Sequence, residues 1–160
     1  SSFEGNKIMK KLLEELAEKN LTLGSVESMT GGLFAAKFTS IPGSSKVFKG
    51  SIVTYATEIK EKIVGVSEKT INECGVVSEE VAKEMAAFGR ELLNVDVCVS
   101  VTGNAGPTCE PGGKPAGCYC VAISTKNTTV AKTFLKRKKR NGVRNSAVLS
   151  MRDLVHLNII

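Results

Sequence analysis

The stretch LTLGSVESMTGGLFAAKFTSI, residues 21–41, changes its pattern in the middle. Its first part, LTLGSVES, is a short run typical of a strand, whereas LFAAKFTSI is typical of a helix that Pro42 and Gly43 bring to an end. Gly31 and Gly32 lie between the two parts, where the chain must turn. The stretch therefore predicts a strand, a glycine turn and a helix in succession.

The same succession of strands and helices continues through the rest of the chain. The run VDVCVSVTG is almost continuously apolar, as expected of a strand covered on both faces. Two further runs, CYCVAIST and TVAKTFLK, are separated by a short polar turn and predict a hairpin. Residues 47–56 predict another strand, and the helical patterns cover residues 6–19, 57–65, 67–75, 78–94 (with Ser78 as the cap) and about 142–157. The sequence thus predicts a layered α/β fold with at least one antiparallel strand.

Length and composition fit one globular domain spanning residues 1–160. The chain is 42% hydrophobic and 24% charged, which is typical of a soluble protein. Its first twenty residues carry charges throughout, so they lack the apolar core of a signal peptide and the apolar length of a membrane span. The five cysteines are odd in number and include no Cys-x-x-Cys pair, which indicates reduced thiols and no zinc site. We therefore expect a cytoplasmic protein with no membrane association.

The net charge of +6 is concentrated in KTFLKRKKRNGVR, residues 132–144. Three interpretations of this basic run are open: a solvated face, a site for a small phosphorylated ligand, or a surface for a polynucleotide. The chain has two Tyr, six Phe and no Trp, which leaves few aromatic side chains to stack on bases. The composition therefore argues against nucleic acid as a partner.

Two predicted loops follow strands at the place where α/β proteins bind ligands, beyond the carboxyl ends of the strands. They cover residues 27–32 and 102–107, and both contain glycines. Glycine lets a ligand approach the backbone closely, and N–H groups in such a turn can stabilise an oxyanion. Ser28 in the first loop is then either a nucleophile or part of an ordinary capped helix start.

A serine nucleophile needs a base, and the chain has a single histidine. His156 lies close to the C-terminus in the last predicted helix, where a surface or packing role is expected. The base would then be a carboxylate or a lysine whose pKa is lowered, and Lys60, Lys62 and Lys114 are the lysine candidates. Lys60 is favoured because it lies one turn into a helix that leaves the same sheet.

The sequence contains neither a phosphate-binding Gly-x-x-x-x-Gly-Lys-Ser/Thr loop nor a Gly-x-Gly-x-x-Gly turn. Its acidic residues also lack the clustering of a metal site. The candidate chemistry is therefore serine-based, without a metal or a cofactor.

Four motifs occur here in the order and spacing of a known family. They are ESMTGGLFAAKFTSIPGSSKVFKGSIVTYATEIKEKIVGV, GVVSEEVAKEMA, VSVTGNAGP and GGKPAGCYCVAI. Over residues 8–157 the chain resembles the CinA C-terminal domain family, whose characterised activity is nicotinamide-nucleotide amidase. The resemblance implies a three-layer α/β/α sandwich on a mixed, mostly parallel sheet. It also implies that nicotinamide mononucleotide is hydrolysed to nicotinate mononucleotide and ammonia. Relatives often self-associate, so a homodimer is expected.

The resemblance also implies roles for individual residues. The nucleophile of the family corresponds to Ser28, its lysine to Lys60, and its motif tyrosine to Tyr55. Lys60 would take the proton of Ser28, and Tyr55 would orient the pair or relay the proton to ammonia. Backbone amides near Gly31, Gly32 or Gly103 would stabilise the oxyanion.

The family commonly has Gly-Asp-Arg-x-x-Val-Arg before its last helix, where this chain has KKRNGVR. Arg140 and Arg144 keep the register, and both are candidates to hold the 5′-phosphate because a guanidinium pairs with phosphate through two hydrogen bonds. The predicted substrate-binding residues are Thr30, Gly31, Gly32, Ser44, Thr102, Gly103, Arg140 and Arg144.

The chain also departs from the family pattern near the expected pocket. Met29 replaces the usual cysteine, Asn104 replaces the usual isoleucine, and the loop at residues 108–120 differs. The alternative to an amidase is a catalytically silent ligand-binding or regulatory domain with the same fold.

Overall fold

The computed structural model describes residues 2–160. The helices are α1 (Ser2–Glu18), α2 (Leu33–Thr39), α3 (Thr57–Ile59), α4 (Glu68–Cys74), α5 (Glu79–Leu93) and α6 (Arg140–Ile159). The strands are β1 (Leu23–Glu27), β2 (Phe48–Val53), β3 (Val97–Gly103), β4 (Cys118–Ser124) and β5 (Thr129–Leu135). A 3-10 turn, Ser44–Lys46, precedes β2, and a π-helical turn, Lys60–Val64, continues α3.

The described strands form one sheet in the order β2-β1-β3-β4-β5. Strand β1 pairs in parallel with both β2 and β3, whereas β3 with β4 and β4 with β5 pair antiparallel. Strand β4 therefore runs against the other four, which confirms the predicted mixed, mostly parallel sheet. The predicted hairpin is the β4–β5 pair.

Helices cover both faces of the sheet, which confirms the three-layer sandwich. On one face, α1, α2 and α6 bury apolar residues against the sheet, among them Leu12, Phe34 and Met151. On the other face, α5 packs Met85 against Val26 and the neighbouring strands. Strands β1 and β4 are buried along their whole length. Strand β3 is buried from Val97 to Thr102, as its almost continuously apolar run predicts.

Several local predictions are confirmed by contacts. Ser78 caps α5, because its Oγ accepts a hydrogen bond of 3.2 Å from Val81 N. His156 was expected to have a surface or packing role, and its Nδ1 lies 3.0 Å from Glu15 Oε1, so the histidine joins α6 to α1. All five cysteines are free thiols. Among the described residues, no helix combines the length and the hydropathy that a membrane span requires.

The parallel part of the sheet positions the candidate residues. The carboxyl ends of β1, β2 and β3 lie at one edge, and Ser28, Thr54 and Asn104 are the first residues beyond those ends. Ser44 lies at the opposite edge, because the turn that contains it leads into the start of β2, where Val47 O accepts a hydrogen bond from Leu23 N.

The close packing of α5 on the sheet gives a stability prediction. A Cβ at Gly89 would overlap the Val26 side chain and come within 3.1 Å of Cys98 Sγ. We expect Gly89→Ala to lower the free energy of unfolding by about 1–3 kcal/mol, since overpacking outweighs the better helix propensity of alanine. Urea denaturation measures the change. The matched control is Gly5→Ala in α1, where no described atom outside the neighbouring helix backbone lies within 4 Å of the added Cβ and no loss is expected. Equal stabilities of the two variants would contradict this packing.

Candidate active site

Ser28 lies in a tight turn directly after β1. Its amide donates a 3.2 Å hydrogen bond to Val101 O of β3, which continues the parallel pairing one residue beyond the strand. Gly31 N then donates to Ser28 O at 3.0 Å, and Gly31 and Gly32 have φ angles of 62° and 98°. Because these angles favour glycine, the two glycines allow the chain to turn back before α2. We call residues 28–32 the serine turn.

Lys60 is the side chain that meets the hydroxyl of Ser28. It is 2% exposed, and its Nζ donates to Ser28 Oγ at 2.9 Å and to Thr54 O at 2.8 Å. Neither acceptor is a carboxylate, so no anion holds the proton on the amine. Burial lowers the pKa of Lys60 to about 8. The amine can therefore be neutral near physiological pH and can accept a proton from a hydroxyl.

The backbone around Lys60 explains how its side chain reaches Ser28. Thr54 N donates to Glu27 O at 2.7 Å, which holds the end of β2 beside the end of β1. The chain then turns through α3 into a π-helical turn that begins at Lys60, with Gly65 N donating to Lys60 O at 3.1 Å. Such turns are frequent at functional sites. The other two candidate lysines, Lys62 and Lys114, are exposed and form no hydrogen bond with Ser28.

Tyr55 lies nearby, but its phenol points to an arginine. It is 61% exposed, and its hydroxyl accepts a 3.0 Å hydrogen bond from Arg140 Nη2. Its backbone carbonyl, at 3.4 Å, is the atom that contacts Lys60 Nζ. Arg140 Nη1 also donates to Gly106 O at 2.6 Å. Arg140 therefore joins the start of α6 to the loops that follow β2 and β3.

Arg144 has a different role from that of Arg140. Its Nε donates to Met29 O at 3.1 Å and its Nη2 to Thr30 O at 2.8 Å. Its Nη1 donates to Asn141 Oδ1 at 3.0 Å. The guanidinium of Arg144 thus binds the carbonyls of the serine turn.

Glu27 also lies at the site, although its sequence context predicts no role for it. It is fully buried, and its carboxylate accepts hydrogen bonds from five donors. These are Ser25 Oγ (3.1 Å), Ser51 Oγ (3.1 Å), Thr30 Oγ1 (2.8 Å), Phe34 N (2.9 Å) and Ala35 N (3.0 Å). One signal for it was available, because α2 begins after Gly32, which has no side chain to cap the first amides.

Of the remaining predicted binding residues, Thr30, Thr102 and Gly103 lie near the serine turn, whereas Ser44 does not. Thr30 and Thr102 are buried, and their hydroxyls donate to Glu27 and to Val76 O, at 2.8 and 2.9 Å, so both have partners within the protein. Gly103 allows close packing, since a Cβ there would come within 2.9 Å of Met29 Sδ. Ser44 is not brought to the site, because it lies at the other edge of the sheet, 3.4 Å from Thr39 O through its Oγ.

Asn104 organises the loop that follows β3. Its Nδ2 donates to Thr108 O at 3.0 Å and to Lys114 O at 3.1 Å, and its Oδ1 accepts from Gly106 N at 2.9 Å. An isoleucine could make none of these bonds. The substitution therefore changes how the loop beside Arg140 is held. Residues 5–160, whose side chains the structure describes, contain no group of three or more His, Cys, Asp or Glu side chains that could bind a metal ion.

The burial of Lys60 leads to a stability prediction. At pH 7 folding places an ammonium group out of water, whereas the unfolded chain keeps the lysine solvated. We expect Lys60→Met to raise the free energy of unfolding at pH 7 by about 1–3 kcal/mol. Between about pH 8 and the ordinary pKa of a lysine, the unfolded state binds more protons at Lys60 than the folded state does. The free energy of unfolding of the wild type therefore rises with pH over this interval. The stability difference between Lys60→Met and the wild type shrinks accordingly.

Denaturant unfolding at pH 7 and at pH 10 measures this difference, with Lys62→Met as the matched control for an exposed lysine of the same helical segment. A stability gain that is equal for the two variants, or one that does not depend on pH, would contradict the burial of a titrating amine.

The chain is similar to known proteins over almost its whole length. The family model for the CinA C-terminal domain matches residues 5–157. The chain is 40% identical to a CinA-like protein of Fervidobacterium nodosum over 92% of this chain and 36% of that protein. It is 41% identical to a putative competence-damage inducible protein of Caldanaerobacter subterraneus over 90% of this chain and 35% of that protein. The chain thus spans about a third of the length of these curated relatives.

The fold is also similar to that of solved structures. The crystal structure of a competence-damaged protein (CinA) superfamily protein from Enterobacter cloacae superposes with a TM-score of 0.94 at 28% identity. The superposition covers 98% of this chain and 92% of that one.

Proposed function

This chain belongs to the CinA C-terminal domain family, and we propose that it is an amidase that hydrolyses nicotinamide mononucleotide to nicotinate mononucleotide and ammonia. The observation that carries the proposal is the 2.9 Å hydrogen bond between Lys60 Nζ and Ser28 Oγ. A buried lysine of lowered pKa beside a serine is an arrangement that activates the hydroxyl. The substrate is taken from the resemblance of the sequence motifs to the amidase family.

The first step uses the neutral form of Lys60. Its amine accepts the proton of Ser28 as Oγ attacks the carbon of the carboxamide, and a tetrahedral intermediate forms. Lys60 then donates this proton to the nitrogen, the carbon–nitrogen bond breaks, and ammonia leaves an acyl group on Ser28. A pKa of about 8 suits both directions of transfer.

Amides of the serine turn are the proposed donors to the oxyanion of this intermediate. Gly31 N is already bonded to Ser28 O. In the described part of the chain, the amides of Met29, Thr30 and Gly32 donate no hydrogen bond to a protein atom. They lie within four residues of the nucleophile, and preorganised backbone donors are effective for this role. Water, deprotonated by Lys60, would then release the acid and restore Ser28.

Arg140 is the proposed contact for the 5′-phosphate. Its two partners, Gly106 O and Tyr55 OH, are uncharged, so its positive charge is not neutralised by a carboxylate. It is exposed at the first residue of α6, where the partial positive charge of the helix N-terminus adds to the attraction of an anion. On this geometry we propose that Tyr55 orients Arg140 and does not relay a proton from Lys60.

Ammonia release from nicotinamide mononucleotide, with a chelator present, tests the proposal. We expect turnover by the wild type and a fall in kcat of at least about 10³-fold in Ser28→Ala and in Lys60→Ala, since the nucleophile and its base act as one unit. Ser45→Ala and Lys62→Ala are controls at exposed positions and should retain activity.

Two results would contradict this function. If the folded Ser28→Ala variant retains turnover, Ser28 is not the nucleophile. Inactivity of the folded wild type, combined with saturable binding of the nucleotide, would favour the catalytically silent binding domain.

A further inference from the structure

We propose that Glu27 and Arg144 are positioning residues that hold the serine turn from two sides and direct Ser28 Oγ towards Lys60. The proposal rests on the proposed function of Ser28 as the nucleophile. It also assigns Arg144 to the turn, so that Arg140 alone of the two arginines is left for the phosphate.

Glu27 ties the two ends of the serine turn together. It precedes Ser28 in the chain, yet its carboxylate accepts hydrogen bonds from Phe34 N at 2.9 Å and Ala35 N at 3.0 Å, in the first turn of α2. It also accepts from Thr30 Oγ1, inside the turn, at 2.8 Å. A carboxylate at a helix N-terminus is stabilised by the amides and the helix dipole. Glu27 thereby fixes where α2 begins relative to the end of β1.

Arg144 fixes the orientation of the peptide groups inside the turn. The carbonyl oxygen and the following N–H of a trans peptide point in opposite directions. Because Met29 O faces the Nε of Arg144 at 3.1 Å, the amide of Thr30 must face away from Arg144. That amide is one of the free donors proposed for the oxyanion. The second bond, from Nη2 to Thr30 O at 2.8 Å, holds the next peptide group in the same way.

These contacts distinguish Arg144 from a phosphate ligand. All three nitrogens of its guanidinium, Nε, Nη1 and Nη2, already donate hydrogen bonds within the protein. Two of the three acceptors are main-chain carbonyls of the serine turn. Its side chain is partly buried, whereas Arg140 is exposed. Removing Arg144 should therefore slow the chemical step more than it weakens the binding of a phosphorylated substrate.

Two conservative variants test the positioning role. Arg144→Lys keeps the positive charge but loses the planar fork that binds two carbonyls at once. Glu27→Gln keeps the shape, but its amide nitrogen cannot accept the bonds that Ser25, Ser51 and Ala35 donate to Oε2. The matched controls are Arg137→Lys and Glu58→Gln at exposed positions. Circular dichroism and thermal unfolding establish which variants fold, and Arg144→Lys carries the test if Glu27→Gln does not.

The first measurement is the rate at which a fluorophosphonate probe labels Ser28. In this reaction a bond forms between Ser28 Oγ and phosphorus, fluoride leaves, and Lys60 accepts the serine proton. The probe carries no nucleotide, so the rate reports the activation of Ser28 independently of substrate identity. The second measurement is kcat and KM for nicotinamide mononucleotide.

We expect the labelling rate and kcat to fall together by about tenfold to a hundredfold in both variants, as for a misplaced catalytic group, while KM changes by less than about threefold. The controls should label at the wild-type rate. An Arg144→Lys protein that labels normally but has a raised KM would overturn the proposal and make Arg144 a phosphate ligand.

The two measurements give different results if nicotinamide mononucleotide is not the substrate. If the wild type is labelled but does not hydrolyse nicotinamide mononucleotide, the ratio of labelling rates still decides the role of Glu27 and Arg144. A folded wild type that is not labelled at Ser28 would overturn the positioning proposal, because no activated serine would exist.

Discussion

The hydrogen bond between Lys60 Nζ and Ser28 Oγ depends on two strands that end side by side. Strands β1 and β2 are parallel, so the residues that follow them meet at one edge of the sheet, and the π-helical turn brings Lys60 back over that edge. Burying the amine is unfavourable, and carbonyl oxygens offset only part of the cost because they carry no full negative charge. The protein thus accepts a destabilising group beside the proposed nucleophile, an arrangement typical of catalytic sites.

The fold could be predicted from local patterns because its elements have short, distinct signals. The apolar run at β3 and the glycines after β1 indicated strand ends, and the serine before α5 indicated a helix start. Lys60 could be placed near Ser28 from its position one turn into the helical segment after β2. The depth of its burial could not, since this depends on the π-helical turn and on Thr54, which pairs with Glu27 of another strand.

The contacts that the sequence did not predict are those between distant segments. Arg144 and Met29 are 115 positions apart, and only the packing of α6 beside α2 and over β3 and β4 brings them together. Ser44 shows the converse: it is near Ser28 in sequence, but α2 carries the chain along the sheet to the opposite edge. Tyr55 was expected to serve Lys60, yet its phenol binds Arg140. The sequence thus indicated which residues lie at the same edge of the sheet, but not which of their atoms form hydrogen bonds with each other.

The proposed chemistry requires that Lys60 is a buried amine that can lose its proton near neutral pH. Its most direct test is an NMR titration of protein labelled with ¹³C at the lysine Cε atoms, with Lys60→Met to assign the resonance. We predict that one resonance, absent from the variant, titrates near pH 8, whereas a freely solvated lysine amine titrates above about pH 10. If the resonance of Lys60 also titrates above about pH 10, the amine is not available as the base for Ser28, and the proposed Ser28–Lys60 mechanism is wrong.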